Sequence, residues 1–302
     1  MRQTHALAHP EAVWDLAPDP AGGGLLLSAH QGEAGWAASL WELDLEGSGR
    51  LVLRGALGGR RARPLLKLAW SPDATSALAI AEEGLQVWDL ADGEARAAGA
   101  AAASAGGSGS GGGFTAGAWD PCDPNLACAA EGSTLGVWDL RKPGAPAQAL
   151  GAFAGPGGSH FMQVRDVDYS RAAPGLLASC GDDCRLCLWD LRRLGAPVVC
   201  REAHSHWLWC ARFNPLHAGL LLTASSDTDV RLWSFPGLKR PAAEVQVMGG
   251  AVGSTTFDEH EESVYAVAWS EGDPWAFASL SHDGRLVCSR VPDSTKYETM
   301  HV

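Results

Sequence analysis

The chain has 302 residues, is 46% hydrophobic and carries a formal net charge of −12 without any lysine- and arginine-rich run. That length supports a sizeable core in one or two domains, and the missing basic stripe sets nucleic acid aside as a partner. No apolar run approaches the roughly 18 residues of a membrane-spanning helix, and "MRQTHALAHP" lacks the apolar segment of a signal peptide. The eight cysteines are scattered, which reads as reduced thiols in a cytosolic protein.

In chain order, a first three-strand unit runs from His9 through "VWDLAPDP" and "LLLSAH" to Trp41. Trp14 and Asp15 fall in its first strand, not at its end. A second unit runs through "LLKLAWSPD" and "ALAIAEE" to Trp88, and a third through "FTAGAWDPCDPNLACAAEG" to Trp138. Between them, residues 97–113, "AAGAAAASAGGSGSGGG", read as a flexible inter-blade loop.

Three later units align without a gap, from His160, His204 and His260. In each, an aliphatic residue follows the histidine by four positions and an aspartate by 23: Asp183, Asp227 and Asp283. Ser179, Thr223 and Ser279 each lie four residues before that aspartate. Trp189, Trp233 and Ser289 close the units. Each copy alternates apolar and polar residues, turns, and alternates again, the pattern of antiparallel strands. Residues 239–258 form an extended connection, in which "AEVQV" is a candidate outer strand.

The spacing also assigns roles. An imidazole that bonds an aspartate on one side and a strand hydroxyl on the other, with an indole N–H on that hydroxyl, is a satisfied buried network. Recurring three times, His160–Ser179–Asp183–Trp189, His204–Thr223–Asp227–Trp233 and His260–Ser279–Asp283 read as structural, not catalytic. The cysteines of "LASCGDDCRLCLWDLRR" take places in this repeat. Cys180 ends a second strand, Asp182 and Asp183 turn, and Cys184 to Trp189 form the third strand. Cys184 and Cys187 would then point to opposite faces, unlike zinc ligands converging from a turn.

This pattern resembles the WD40 repeat, so the expected fold is all-β: a β-propeller with six readable blades of three or four strands, spanning residues 1–302 as one domain. "SHW", "YAVAWSEGDPWAFASLS" and "DGRLVCSRVP" are not general WD40 features. They resemble the EARP- and GARP-complex-interacting protein family, strongly over residues 160–297 and more weakly elsewhere. The resemblance implies seven blades, with the first missing here, and a shortened acidic insert before the last repeat.

It also implies a non-enzymatic scaffold in the cytoplasm, peripheral at the trans-Golgi network and recycling endosomes. There it would bind the EARP and GARP tethering complexes and support their membrane recruitment in endosome-to-Golgi retrieval and endocytic recycling, touching membranes only through these partners. Docking is expected on the top face. The residues five after the repeat histidine point there: Trp14, Arg165, Trp209 and Tyr265, with Leu66 and Thr115. So do those three after it, Gln163, Trp207 and Ser263, and those before the turn aspartate, Asp182, Ser226 and His282. Tryptophan, tyrosine and arginine are enriched at interface hot spots.

Two other functions compete. "WDLR" occurs twice, ending at Arg141 and Arg192, and resembles the motif by which substrate receptors meet the adaptor of a cullin-4 ubiquitin ligase. Against an enzyme, "GGSGSGGG" lacks the Lys-Ser/Thr of a phosphate loop, and His206 of "HSH" has no evident carboxylate partner. Neither catalytic residues, a cofactor nor a metal site is expected.

Overall fold

A computed structural model describes residues 9–44, 50–90, 96–103, 113–142, 144, 146–150, 160–193, 196–235, 238 and 252–301. Six antiparallel sheets form among them. The first joins β1 (Ala12–Pro18), β2 (Leu25–Gly32), β3 (Gly35–Asp44) and β4 (Arg50–Ala56). The second joins β5 (Leu65–Trp70), β6 (Ser76–Ala81), β7 (Gly84–Asp89) and β8 (Arg96–Ala103). The third joins β9 (Phe114–Trp119), β10 (Leu126–Glu131), β11 (Thr134–Asp139) and β12 (Gln148–Leu150). The fourth joins β13 (Val164–Tyr169), β14 (Leu176–Gly181), β15 (Arg185–Asp190) and β16 (Val199–Glu202). The fifth joins β17 (Leu208–Phe213), β18 (Leu220–Ser225), β19 (Val230–Ser234) and β20 (Gly253–Phe257). The sixth has three strands, β21 (Val264–Trp269), β22 (Ala276–Ser281) and β23 (Leu286–Arg290), and α1 (Asp293–His301) follows.

The chain divides into two compact units, Met1–Ala129 with Val137–Gln148, and Ala130–Gly136 with Ala149–Val302. In the first unit, Leu27, Leu40, Leu65, Ala79 and Trp88 form one buried cluster, and Leu78, Ile80, Phe114 and Trp138 another. In the second, Leu176, Leu188, Leu208, Phe213 and Trp233 pack together, as do Leu220, Leu222, Val230, Val264 and Phe277. Strands whose two faces are both covered need continuous apolar runs rather than alternation. β14 and β18 are accordingly buried along their whole length.

Three expectations are corrected. The loop expected over 97–113 begins as a strand: β8 pairs along β7 from Asp89↔Arg96 to Gly84↔Ala103. An outer strand needs main-chain bonds more than side-chain burial, so alanine and glycine composition hid it; residues 104–112 lie outside the described residues. The outer strand of the fifth sheet is β20, inside the connection expected over 239–258, whereas "AEVQV" lies outside the described residues. Thirdly, β15 starts at Arg185, leaving Cys184 in the turn with φ 61°.

The same turn position is Thr228 in the next repeat, φ 73°, and Gly284 in the last, φ 79°. Only glycine adopts this left-handed geometry freely, and a β-branched side chain suits it least. Relief of about 1–2 kcal/mol, less about 0.5–1 kcal/mol of glycine chain entropy, sets the expectation for Thr228→Gly. Its urea midpoint should rise by the equivalent of about 0.5–1 kcal/mol; an unchanged or lower midpoint would mean the Thr228 side chain is held by something that offsets the strain.

The cysteines also differ from expectation. β15 and β16 place Cys187 directly opposite Cys200 with Cα atoms 4.1 Å apart, and the two form a disulfide. Cross-strand neighbours meet only once the outer strand is in register, which spacing within one repeat does not reveal. Cys180 and Cys184 remain free thiols, and burial raises the pKa of both.

Candidate protein-docking face

The repeat histidines hold their sheets together as the spacing implies. Trp189 donates its indole N–H to the Ser179 hydroxyl at 2.8 Å, and that hydroxyl lies 2.8 Å from His160 Nε2. His160 Nδ1 lies 2.9 Å from the Asp183 carboxylate, which also accepts the Phe161 N–H at 3.1 Å. With a neutral imidazole, one arrangement satisfies every group: indole to hydroxyl, hydroxyl to Nε2, Nδ1–H to carboxylate. Trp233, Thr223, His204 and Asp227 repeat it at 2.9, 2.7 and 3.0 Å. His260 meets Ser279 at 2.7 Å and Asp283 at 3.3 Å, with Ser289 where the others have tryptophan.

The first sheet varies the theme. His9 meets Ser28 at 3.1 Å and Trp41 donates to Ser28 at 2.7 Å, but no aspartate follows. His9 Nδ1 instead meets the Glu11 carbonyl at 2.8 Å. A second histidine, His30, sits between the Glu11 carboxylate at 2.7 Å and Ser39 at 2.9 Å. In the second sheet Ala79 stands where the hydroxyl would be, two residues past the partner of the tryptophan, and the Trp88 indole N–H is buried without a partner among the described residues.

These networks make acid the weak condition. Burial pulls the Asp227 carboxyl up, but bonds from His204, Ser205 and Ser225 outweigh it and hold its pKa below the ordinary value. Glu11 is held down to about 2 from 4.5 by Arg60 and then His30. A carboxyl with a depressed folded pKa contributes stability that is full above its unfolded value and lost as pH falls through the folded one. The thermal midpoint should therefore fall as pH drops from about 4.5 towards 2. Glu11→Gln should flatten part of that fall, and an unaltered profile would sink the assignment.

The positions expected to meet a partner take their geometry from β-bulges. The ladder skips one residue in the first strands of five sheets: Trp14, Leu66, Arg165, Trp209 and Tyr265. Four of them lie five after a repeat histidine, and Leu66 holds the equivalent place in the second unit, where Arg61 stands instead of the histidine. A bulge re-aims its extra side chain away from the ladder, and Trp14 and Tyr265 are exposed, whereas Leu66 still packs against the cluster of Leu78, Ile80 and Phe114.

Within the second unit, the three kinds of predicted position touch one another in every sheet. Gln163, Trp207 and Ser263 accept, through their carbonyls, the N–H groups of Asp182, Ser226 and His282 at 2.9, 2.9 and 3.0 Å. Arg165 grips the Asp182 carboxylate with two bonds, at 2.7 and 2.9 Å. Trp209 donates its indole N–H to the Ser226 hydroxyl at 2.6 Å. Tyr265 lies on the His282 ring with centroids 4.7 Å apart. The Arg165 guanidinium also stands 5.1 Å from the Trp209 ring and 6.0 Å from that of Trp207, joining the fourth and fifth sheets.

This builds a rigid rim with exposed aromatic surface. Trp207 is 41% exposed, and so, by the same measure, is Tyr265 at 38%. The sequence reading missed Phe161 and Met162, 65% and 44% exposed, which follow His160, with the Arg185 guanidinium 4.9 Å from the Phe161 ring. The histidine beside them was the available signal. In the first unit Trp14 is 66% exposed and meets Trp36 edge-on at 5.4 Å.

The sequence reading also missed acidic clamps between neighbouring sheets. Asp15 accepts the Leu68 N–H at 2.8 Å in the first unit. In the second, Asp166 accepts the Ala211 N–H at 3.2 Å and Asp168 that of Phe213 at 2.8 Å. Asp166 also pairs with Arg212, whose pKa burial would lower but Asp166 and Asp168 raise. Asp15 and Asp166 both lie six after a repeat histidine, and an acid inside an apolar strand was a visible signal.

The two "WDLR" arginines are engaged inside the chain. Arg141 grips Asp139 at 2.8 and 2.9 Å, drawing that carboxyl down to about 2, and Arg192 grips Asp190 at 2.7 and 3.0 Å. The motif thus closes the strand exit on itself.

Comparison with known proteins follows the same lines. A family described as EIPR1 beta-propeller matches residues 3–233, and one described as WD domain, G-beta repeat matches residues 253–288. "EARP and GARP complex-interacting protein 1" of Homo sapiens is 33% identical over 255 residues, 77% of this chain and 64% of that protein. "EARP-interacting protein homolog" of Gekko japonicus is 33% identical over 260 residues, 76% of this chain and 63% of that protein. "WD repeat-containing protein DWA2" of Arabidopsis thaliana is 30% identical over 295 residues, 94% of this chain and 80% of that protein. The chain thus spans a little under two thirds of the length of these two animal relatives.

Proposed function

The chain belongs to the EIPR1 β-propeller family, and on that premise we propose that it is a non-enzymatic docking platform for the EARP and GARP tethering complexes. On this reading it supports their recruitment to membranes in endosome-to-Golgi retrieval and endocytic recycling. It would act from the cytoplasm, at the trans-Golgi network and recycling endosomes. Among the described residues no helix is long and apolar enough to cross a membrane, and membrane association would run through the partners.

The observation that carries the reading is the rim around Arg165. There the sheets spend bulges, a bidentate ion pair and two indoles on holding aromatic surface in place rather than on burying it. Pre-ordered aromatic and arginine side chains lose little entropy on binding, which suits them as hot spots.

The test is affinity purification of the tagged chain beside a Trp207→Ala/Trp209→Ala/Tyr265→Ala triple variant whose folding is checked by circular dichroism. Tethering-complex subunits should co-purify with the parent chain and be lost with the variant. Subunits absent from a folded parent chain would overturn the reading. Recovery instead of a cullin-4 ligase adaptor, lost on Arg141→Ala and Arg192→Ala, would turn attention to the "WDLR" motifs.

A further inference from the structure

Cys187 and Cys200 stand opposite each other in β15 and β16, with Cα atoms 4.1 Å apart, and form a disulfide. The ladder itself brings them together. The Ala203 N–H donates to the Cys184 carbonyl at 2.8 Å. Alternation from that bond makes Leu186 and Leu188 the residues of β15 that bond to β16. Cys187 and Cys200 are then a non-bonding pair, the kind whose side chains approach most closely. The main-chain bonds between β15 and β16 thus involve neither cysteine.

The repeat does not call for cysteine at this place. The row runs outward from the relay hydroxyl: Ser179, Cys187, Cys200. In the first sheet the same row reads Ser28, Ser39 and Ala56, and in the second Ala79, Gln86 and Ala100. In the fifth it reads Thr223, Arg231 and Thr256. A chain of 302 residues also has core enough to fold without a staple. The two sulfurs differ in access. Cys187 is 0% exposed, whereas Cys200 is partly exposed on the outer strand.

We propose that Cys187 and Cys200 are a reversible thiol–disulfide exchange site, entered at Cys200 by a dithiol reductant and closed again by a hydroperoxide. Exposed disulfides are the labile ones, and access decides which sulfur is attacked. A reductant thiolate attacks the Cys200 sulfur in line with the S–S bond. That bond breaks, and its electron pair leaves on Cys187, which takes up a proton. The second thiol of the reductant gives up its proton, attacks the mixed disulfide and frees Cys200 as a thiol. Two electrons and two protons pass to the chain, and the reductant leaves as a disulfide. In the other direction the Cys200 thiolate attacks hydrogen peroxide and becomes a sulfenic acid, releasing water. The Cys187 thiol then displaces the sulfenic oxygen as a second water, and the disulfide forms again.

The link has a definite stretch of chain to hold. β16 is four residues long and runs through Ala203 into His204 of the next relay. On the way, the Arg201 guanidinium stands 5.5 Å from the Trp233 ring, and the Ala203 carbonyl accepts from Arg231 at 2.8 Å. Once the pair is reduced, no covalent tie fixes β16 to β15, and the amides of this stretch open more often. The site uses none of the rim residues, so it stands or falls apart from the docking reading.

The test uses the full chain treated with hydrogen peroxide and then digested. Trypsin cuts at Arg192 and Arg193, so the closed pair yields "LCLWDLR" linked to "LGAPVVCR" in the mass spectrum. Dithiothreitol added to the folded chain should remove that linked peptide and peroxide should restore it, with an unchanged circular dichroism spectrum. Glutathione, which has a single thiol, should leave its adduct on Cys200 and not on Cys187. On reduction, amide hydrogen exchange should quicken several-fold at Val198 and Ala203, which donate to Leu188 and Cys184, and stay the same in β14. A Cys200→Ser chain should show the quick rate with or without reductant. The proposal is overturned if no linked peptide forms, if the link yields to dithiothreitol only in urea, or if the folded spectrum is lost on reduction. The last two results would mean a structural staple. A glutathione adduct on Cys187, or exchange at Val198 and Ala203 that ignores the state of the pair, would overturn it as well.

Discussion

Asp166→Ala is expected to lower the stability of the chain by about 3 kcal/mol, read as a shift of the urea unfolding curve. Asp166 is only 5% exposed and serves two groups of the neighbouring sheet, the Ala211 N–H and the Arg212 guanidinium. Removing the carboxylate leaves the Ala211 N–H without that acceptor and takes from the buried Arg212 one of the two carboxylates that act on it, which costs more than the pair itself contributes. The double variant Asp166→Leu/Arg212→Met therefore distinguishes the causes. It removes both charges and should regain most of the loss. If the double variant is as weak as the sum of the two single ones, the clamp is not an interaction between these residues.

The second large effect concerns the buried relays. His204→Ala should cost about 3 kcal/mol, because it strips the Nδ1 partner from Asp227 and the Nε2 partner from Thr223 at once. His260→Ala should cost visibly less. Both aspartates keep two backbone N–H bonds, Asp227 from Ser205 and Asp229 and Asp283 from Glu261 and Arg285, but only Asp283 also keeps a guanidinium, that of Arg285 at 3.2 Å. Ser289, moreover, replaces the tryptophan that would extend the relay. The comparison is read from urea midpoints of the two variants at pH 7. Equal losses would show that the relay acts through packing of the imidazole and not through its hydrogen bonds.

Both expectations concern features of different legibility. The relays could be read in advance because all their members belong to one sheet. His160, Ser179 and Asp183 keep the intervals of His204, Thr223 and Asp227 since hairpin register converts sequence spacing directly into distance. Their recurrence is also the ground on which the sequence reading takes these histidines as structural. The positions expected at the docking face fall on bulges for the same reason: five after the histidine is where the ladder skips a residue. Phe161 and Met162 were passed over although His160 marks their place, because their exposure was decided by the tertiary structure.

The spacing of these residues was sufficient to determine the repeat, the order of strands within each unit and the chemistry of the histidine network, because each depends on chain-local register and on polar groups that burial obliges to pair. The meeting of Asp166 with Arg212, of Cys187 with Cys200, and of Arg165 with two indoles was decided only by the tertiary structure. So was the choice of Arg96–Ala103 and Gly253–Phe257 as outer strands. Contacts between sheets depend on how stacked faces mesh, and an outer strand is selected by main-chain bonds that almost any composition can supply, so neither leaves a periodic mark in the sequence.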